Sequence, residues 1–94
     1  MAQDQQRIAC PVGVWTQITN SAMTALTFQV LGGPVYIRFT VGATPPSQEF
    51  GIVYESMRGE SNKLLTDLVK GAGLNQMYAK PVGGSPSAVY IDHA

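Results

Sequence analysis

Hydrophobic and polar residues alternate most regularly over residues 24–42, TALTFQVLGGPVYIRFTVG. Leu26, Phe28 and Val30 are separated by Thr27 and Gln29, and Val35, Ile37, Phe39 and Val41 by Tyr36, Arg38 and Thr40. A period of two sends one set of side chains to a buried face and the other set to the opposite face. Between the two runs lies Leu31-Gly32-Gly33-Pro34. Glycines admit the positive φ of a tight reversal, and a proline, which has no N–H, belongs at a turn or at the first residue of a strand. The pattern predicts a β-hairpin with Phe28, Ile37 and Phe39 buried.

Shorter runs flank this stretch. Ile8, Cys10, Val12 and Val14 alternate weakly and are interrupted by Pro11 and Gly13, which suits an edge strand. Residues 50–55, 74–82 and 88–94 read as further strands, with turns at residues 19–21 and 83–86 and a proline-stiffened loop over residues 42–49. Residues 61–70, SNKLLTDLVK, carry Leu64, Leu65, Leu68 and Val69 at helical spacing, with Ser61 or Asn62 to cap the start and Gly71 or Gly73 to end it. A helix of that length is marginal alone and must dock on the sheets. The expected fold is all-β, a small β-sandwich or barrel with one short helix. Residues 1–6 form a polar, flexible N-terminal arm in this reading, and residues 7–94 a single domain.

Charged residues make up only 13% of the 94, against roughly 25% in typical soluble proteins, and six basic residues balance six acidic ones. A surface with few charges is covered at little desolvation cost, which favours a protein packed against other subunits; a weakly charged monomer is the alternative. The neutral balance argues against nucleic acid and against an electrostatic hold on a membrane. No signal-type apolar stretch lies near the start and none is long enough to span a bilayer, so the expected place of synthesis is the cytoplasm without Sec export.

Candidate chemistry is sparse. Cys10 has no second cysteine to pair with and sits among apolar neighbours, as a small buried hydrophobe would. His93 is the one histidine, and Asp92 beside it points to the opposite face of a strand, so neither a zinc site nor an Asp–His pair is expected. Glu49, Glu55 and Glu60 belong to exposed polar stretches, and Gly71-Ala72-Gly73 follows the expected helix instead of opening one. We expect no enzyme, no cofactor and no metal. Trp15, Tyr36, Tyr54, Tyr78 and Tyr90 offer amphipathic rings for a sugar or a protein partner, with Tyr36 and Tyr90 on the faces opposite the aliphatic residues, or are ordinary half-buried aromatics. The residues expected at an interface are Gln5, Arg7, Trp15, Tyr36, Arg38 and Tyr90.

The order Trp15-Thr16-Gln17-Ile18-Thr19, then Thr24-Ala25-Leu26-Thr27-Phe28-Gln29, Val35-Tyr36-Ile37 and Gly42-Ala43-Thr44-Pro45-Pro46-Ser47, closed by Met77-Tyr78-Ala79 and Val89-Tyr90-Ile91-Asp92-His93-Ala94, resembles the small virion structural proteins of tailed bacteriophages. The resemblance implies a β-rich capsid decoration (cement) protein on the virion surface, bound to the major capsid protein and acting as a homo-oligomer, with a trimer favoured. The alternatives are a head–tail or tail adaptor and a carbohydrate-binding β-module.

Overall fold

The computed structural model describes residues 6–19, 25–40, 42, 46–47, 50–64 and 75–93. They form eight strands: β1 (Gln6–Cys10), β2 (Thr16–Gln17), β3 (Ala25–Val30), β4 (Val35–Thr40), β5 (Ile52–Tyr54), β6 (Gly59–Leu64), β7 (Gln76–Pro81) and β8 (Ser87–His93). One sheet has the order β1-β8-β3-β6 and the other β2-β7-β4-β5. All neighbours are antiparallel, and β1 pairs with β8, β2 with β7, β3 with β6 and β4 with β5. The chain is thus one long hairpin folded over on itself. Eight strands in this order make a jelly roll, an all-β sandwich built of two Greek keys.

The expected sandwich is present, but the expected hairpin is not. β3 is bonded on its two sides to β6 and β8, and β4 to β5 and β7, so the two strands lie in different sheets. Residues 31–34 arch across the gap between them. The arch is fastened to β8: the Leu31 N–H donates to the Ala88 carbonyl at 2.8 Å, and the Ser87 hydroxyl donates to the Gly33 carbonyl at 2.7 Å. A side chain at Gly32 would press on the Ser87 side chain and backbone, so the close approach itself requires glycine.

The short helix is also corrected. Residues 61–64 belong to β6, where Ala25 faces Leu64 and Leu26 faces Lys63. The ladder to β3 supplies these residues with backbone partners, and a few leucines at helical spacing do not outweigh it. The remainder of the expected helix, residues 65–70, lies outside the described residues, and no helix occurs among those described. Gln6, placed in the arm by the sequence, is the first residue of β1 and faces Ile91; residues 1–5 lie outside the described residues.

Both sheets send alternate side chains into one core. β1, β3 and β8 contribute Ile8, Cys10, Leu26, Phe28, Val30, Val89 and Ile91, and the second sheet contributes Val35, Ile37, Met77 and Ala79, with Ile18 just after β2. Phe28 meets Tyr54 across the gap with ring centroids 4.9 Å apart, edge to face. Just past the bulge in the β3–β6 ladder, Gly59 faces Gln29 and runs so close to Phe28 that a Cβ there would collide with the Phe28 carbonyl. Phe28 and Ile37 are fully enclosed as expected, whereas Phe39, near the end of β4, is half-buried and packs at the rim of the core. Phe28→Ala should therefore cost about 3–5 kcal/mol in chemical denaturation. Phe39→Ala should cost clearly less, and equal losses would contradict this ordering of the core.

Candidate functional site

Cross-strand register decides which side chains share a face. In the second sheet Gln17 faces Tyr78, Arg38 faces Tyr78, Tyr36 faces Lys80 and Val53, and Thr40 faces Gln76. Directly opposed residues point to the same side. The inward positions are filled by Val35, Ile37, Ala79 and Met77, so this other set forms the outward face. Trp15 joins it just before β2, with the Lys80 ammonium 5.9 Å from its ring centre. Phe50 joins it ahead of β5, meeting Tyr36 edge to face at 5.7 Å, while the Arg38 guanidinium donates to the Phe50 carbonyl at 2.7 Å.

Three of the residues expected at an interface, Trp15, Tyr36 and Arg38, are thus brought together on one face. Arg7 and Tyr90 are not. They face each other across β1 and β8, and Gln29 faces Tyr90, on the outward side of the other sheet. A platform of Trp15, Tyr36 and Tyr90 does not exist in this fold, because Tyr90 lies on the opposite side of the sandwich. Gln5 lies outside the described residues.

Gln17, Lys80 and Phe50 complete the face and were not singled out from the sequence, whereas Tyr78, one of the aromatics the sequence offers, lies among them at the centre of the sheet but is only 2% exposed and presents no ring to a partner. Alternation around Tyr78 is masked because β7 is buried on both sides for most of its length. A polar network holds the β2 end of the face. Thr19 donates its hydroxyl to Gln76 Oε1 at 2.6 Å and accepts from the Met77 N–H at 3.1 Å, and Gln17 Nε2 donates to the same Gln76 oxygen at 3.3 Å. Thr19 and Gln76 are buried, and these bonds satisfy groups that would otherwise be costly to enclose. The strands of this sheet contain Arg38 and Lys80 and no Asp or Glu. Its partly exposed residues, Trp15, Gln17, Tyr36, Arg38 and Lys80, with the exposed Phe50, make the face aromatic and mildly basic. That suits a broad protein contact, since rings and guanidinium supply anchors while few charges have to shed water.

A shallow recess of about 320 Å³ lies beside it, lined by Val53, Tyr54, Glu55, Arg58, Gly59 and Glu60. Tyr54 donates its hydroxyl to Glu60 Oε2 at 3.2 Å. Burial, then the Glu60 charge and this hydrogen bond, push the Tyr54 phenol up to about 12. A phenol held in its neutral form is no nucleophile or base at neutral pH. Burial pushes the Cys10 thiol up to about 11, and burial raises Tyr78 as well. Among the described residues there is no group of three or more His, Cys, Asp or Glu able to hold a metal ion, and no helix is long and apolar enough to cross a membrane.

The raised groups set a pH dependence. The unfolded chain releases these protons near the ordinary values of 9.0 for Cys10 and 10.0 for Tyr54, and the folded chain only near about 11 and about 12. The unfolded state then binds fewer protons, so stability falls as pH rises. Denaturation midpoints should be unaffected by these two groups below pH 9.0 and should decline through about 11 and about 12. Cys10 should resist alkylation in the native protein at neutral pH and react once the chain is unfolded; rapid labelling of the folded protein would contradict its burial. Comparison with known proteins brings no match, whether to a family model, to a curated protein or to a solved structure.

Proposed function

We propose that this is a virion structural protein of the capsid decoration type, which binds an assembled head shell through the outward face of the β2-β7-β4-β5 sheet. The observation that carries the reading is the strand order. A jelly roll is an architecture of viral capsid and lectin domains, and here it is reduced to a compact sandwich. The argument from fold is one of analogy, because one architecture hosts many functions. It is joined by the sparse charge of the chain and by the aromatic, acid-free strands of the candidate face. The resemblance of the sequence to small phage virion proteins points the same way. In this reading the protein acts on the capsid surface, its partner is the major capsid protein, and Trp15, Tyr36 and Arg38 are the anchors.

The carbohydrate-binding alternative fits the rings less well. Trp15 lies under Lys80 and Tyr36 meets Phe50, so the two do not form an open stacking platform. The test is a binding assay with undecorated capsid shells. The protein should sediment with shells at a stoichiometry that scales with the number of capsid subunits, and Trp15→Ala should weaken binding by about tenfold or more without lowering the melting temperature appreciably. Binding at only one vertex would favour the head–tail adaptor. Absence of binding to shells, with capture on a glycan array, would replace this proposal with the lectin reading.

A further inference from the structure

The four outermost strands of the sandwich are β1 and β6 in one sheet and β2 and β5 in the other. Such strands turn unpaired N–H and C=O groups outward and invite another strand, and proteins guard them with charge, proline, bulges or brevity. β1 carries Arg7 and is followed by Pro11. β2 has two residues. β6 carries Glu60 and Lys63 and lies along the bulged part of its ladder. β5 is Ile52-Val53-Tyr54, short but free of charge, proline and bulge. Ile52 is 44% and Val53 51% exposed, and Phe50 just before them 66%. These are residues of high β-propensity left in solvent on an edge, with no strand beyond them among the described residues.

We infer that the free edge of β5 pairs antiparallel with β5 of a second copy of this chain, about a two-fold axis through Val53. A charge relation selects that occupant. With Val53 opposite Val53, Ile52 stands opposite Tyr54 and Glu55 opposite Gly51 of the second copy. Gly51 is the residue next to β5 over which Arg38 lies: a Cβ there would come within 2.8 Å of Arg38 Cγ. The guanidinium is held at that spot by its bond to the Phe50 carbonyl. Glu55 of each copy therefore reaches Arg38 of the other across a position that has no side chain, and the two-fold axis makes the contact twice. Gly51 has no side chain to bar that path, and Glu55, which follows β5 at the start of the turn closed by the Arg58 N–H on its carbonyl, is exposed.

Pairing of this kind joins the two second sheets into one continuous sheet of eight strands, with both outward faces on the same side. A dimer would present two copies of the face containing Trp15 and Tyr36 to a single surface, which raises avidity without new contacts. The pairing itself rests on the edge and its charges and not on the identity of that surface, so it is tested without shells.

Sedimentation equilibrium of the full chain over a wide dilution series should give a reversible dimer of twice the 10.0 kDa chain mass. Val53→Lys places two ammonium groups together on the axis and should weaken the dimer by about tenfold or more, with an unchanged circular dichroism spectrum because Val53 is half exposed. Arg38→Glu and Glu55→Arg should each weaken it, and the doubly substituted chain should recover most of the affinity. A wild-type monomer, a trimer, or a Val53→Lys variant that dimerises as tightly as the wild type would overturn the proposal. Failure of the double swap to recover affinity would overturn the Arg38–Glu55 contact and the register built on it. Loss of shell binding with the dimer intact would count against the proposed function alone.

Discussion

Pairing of the first strand with the last is the constraint inside which the rest of the fold is nested. β1 lies on β8 from Gln6 opposite Ile91 to Cys10 opposite Ser87, and β2 on β7, β3 on β6 and β4 on β5 follow within it. Each successive pair changes sheet, so a chain this short wraps a core on both sides with no helix among its described residues. The cost is that most contacts join residues far apart in sequence. Loop closure must be met before those contacts stabilise anything, which places the protein among slow-folding β topologies. Close fits such as Gly32 on Ser87 and Gly59 on Phe28 form only when distant segments have met.

Alternation revealed which residues point inward, and little beyond that. It placed Phe28 and Ile37 in the core correctly, with Leu26, Val30 and Val35 on the same buried faces. It could not distinguish a hairpin from an arch, because strands joined either way show the same period of two. What separates them is the bonding of β3 to β8 and of β4 to β7, and each of those partners lies some forty residues or more along the chain. The same blindness explains the helix. Residues 61–64 have helical spacing locally, but their backbone groups are claimed by β3. β2 is two residues long and β6 is polar, so neither produces a hydrophobic pattern to read.

The candidate face was legible in its parts and not in its assembly. Trp15, Tyr36 and Arg38 stand out by residue type and by position on alternating strands. Their meeting depends on β7 lying between β2 and β4, a fact of topology. Arg7 and Tyr90 stood out for the same reasons, and topology sends them to the other side. Tyr78 stands out by residue type as well and lies at the centre of the same sheet, but it is enclosed there, because β7 is buried for most of its length. Residue chemistry thus nominated anchors, and pairing order sorted them.

Low charge and open edges are linked in this chain. A jelly roll is not a closed barrel, so it must keep edges, and three of the four are defended by devices that cost the fold little. β5 lies beside the arginine that also belongs to the outward face, and that arginine runs over Gly51 and bonds to the Phe50 carbonyl. A Cβ at Gly51 would collide with the Ile37 carbonyl and with Arg38 Cγ, so the glycine serves the packing of β4 against the start of β5. Edge, arginine and face are therefore one mechanical unit. A change that stiffens or blocks the edge reaches the face through Arg38.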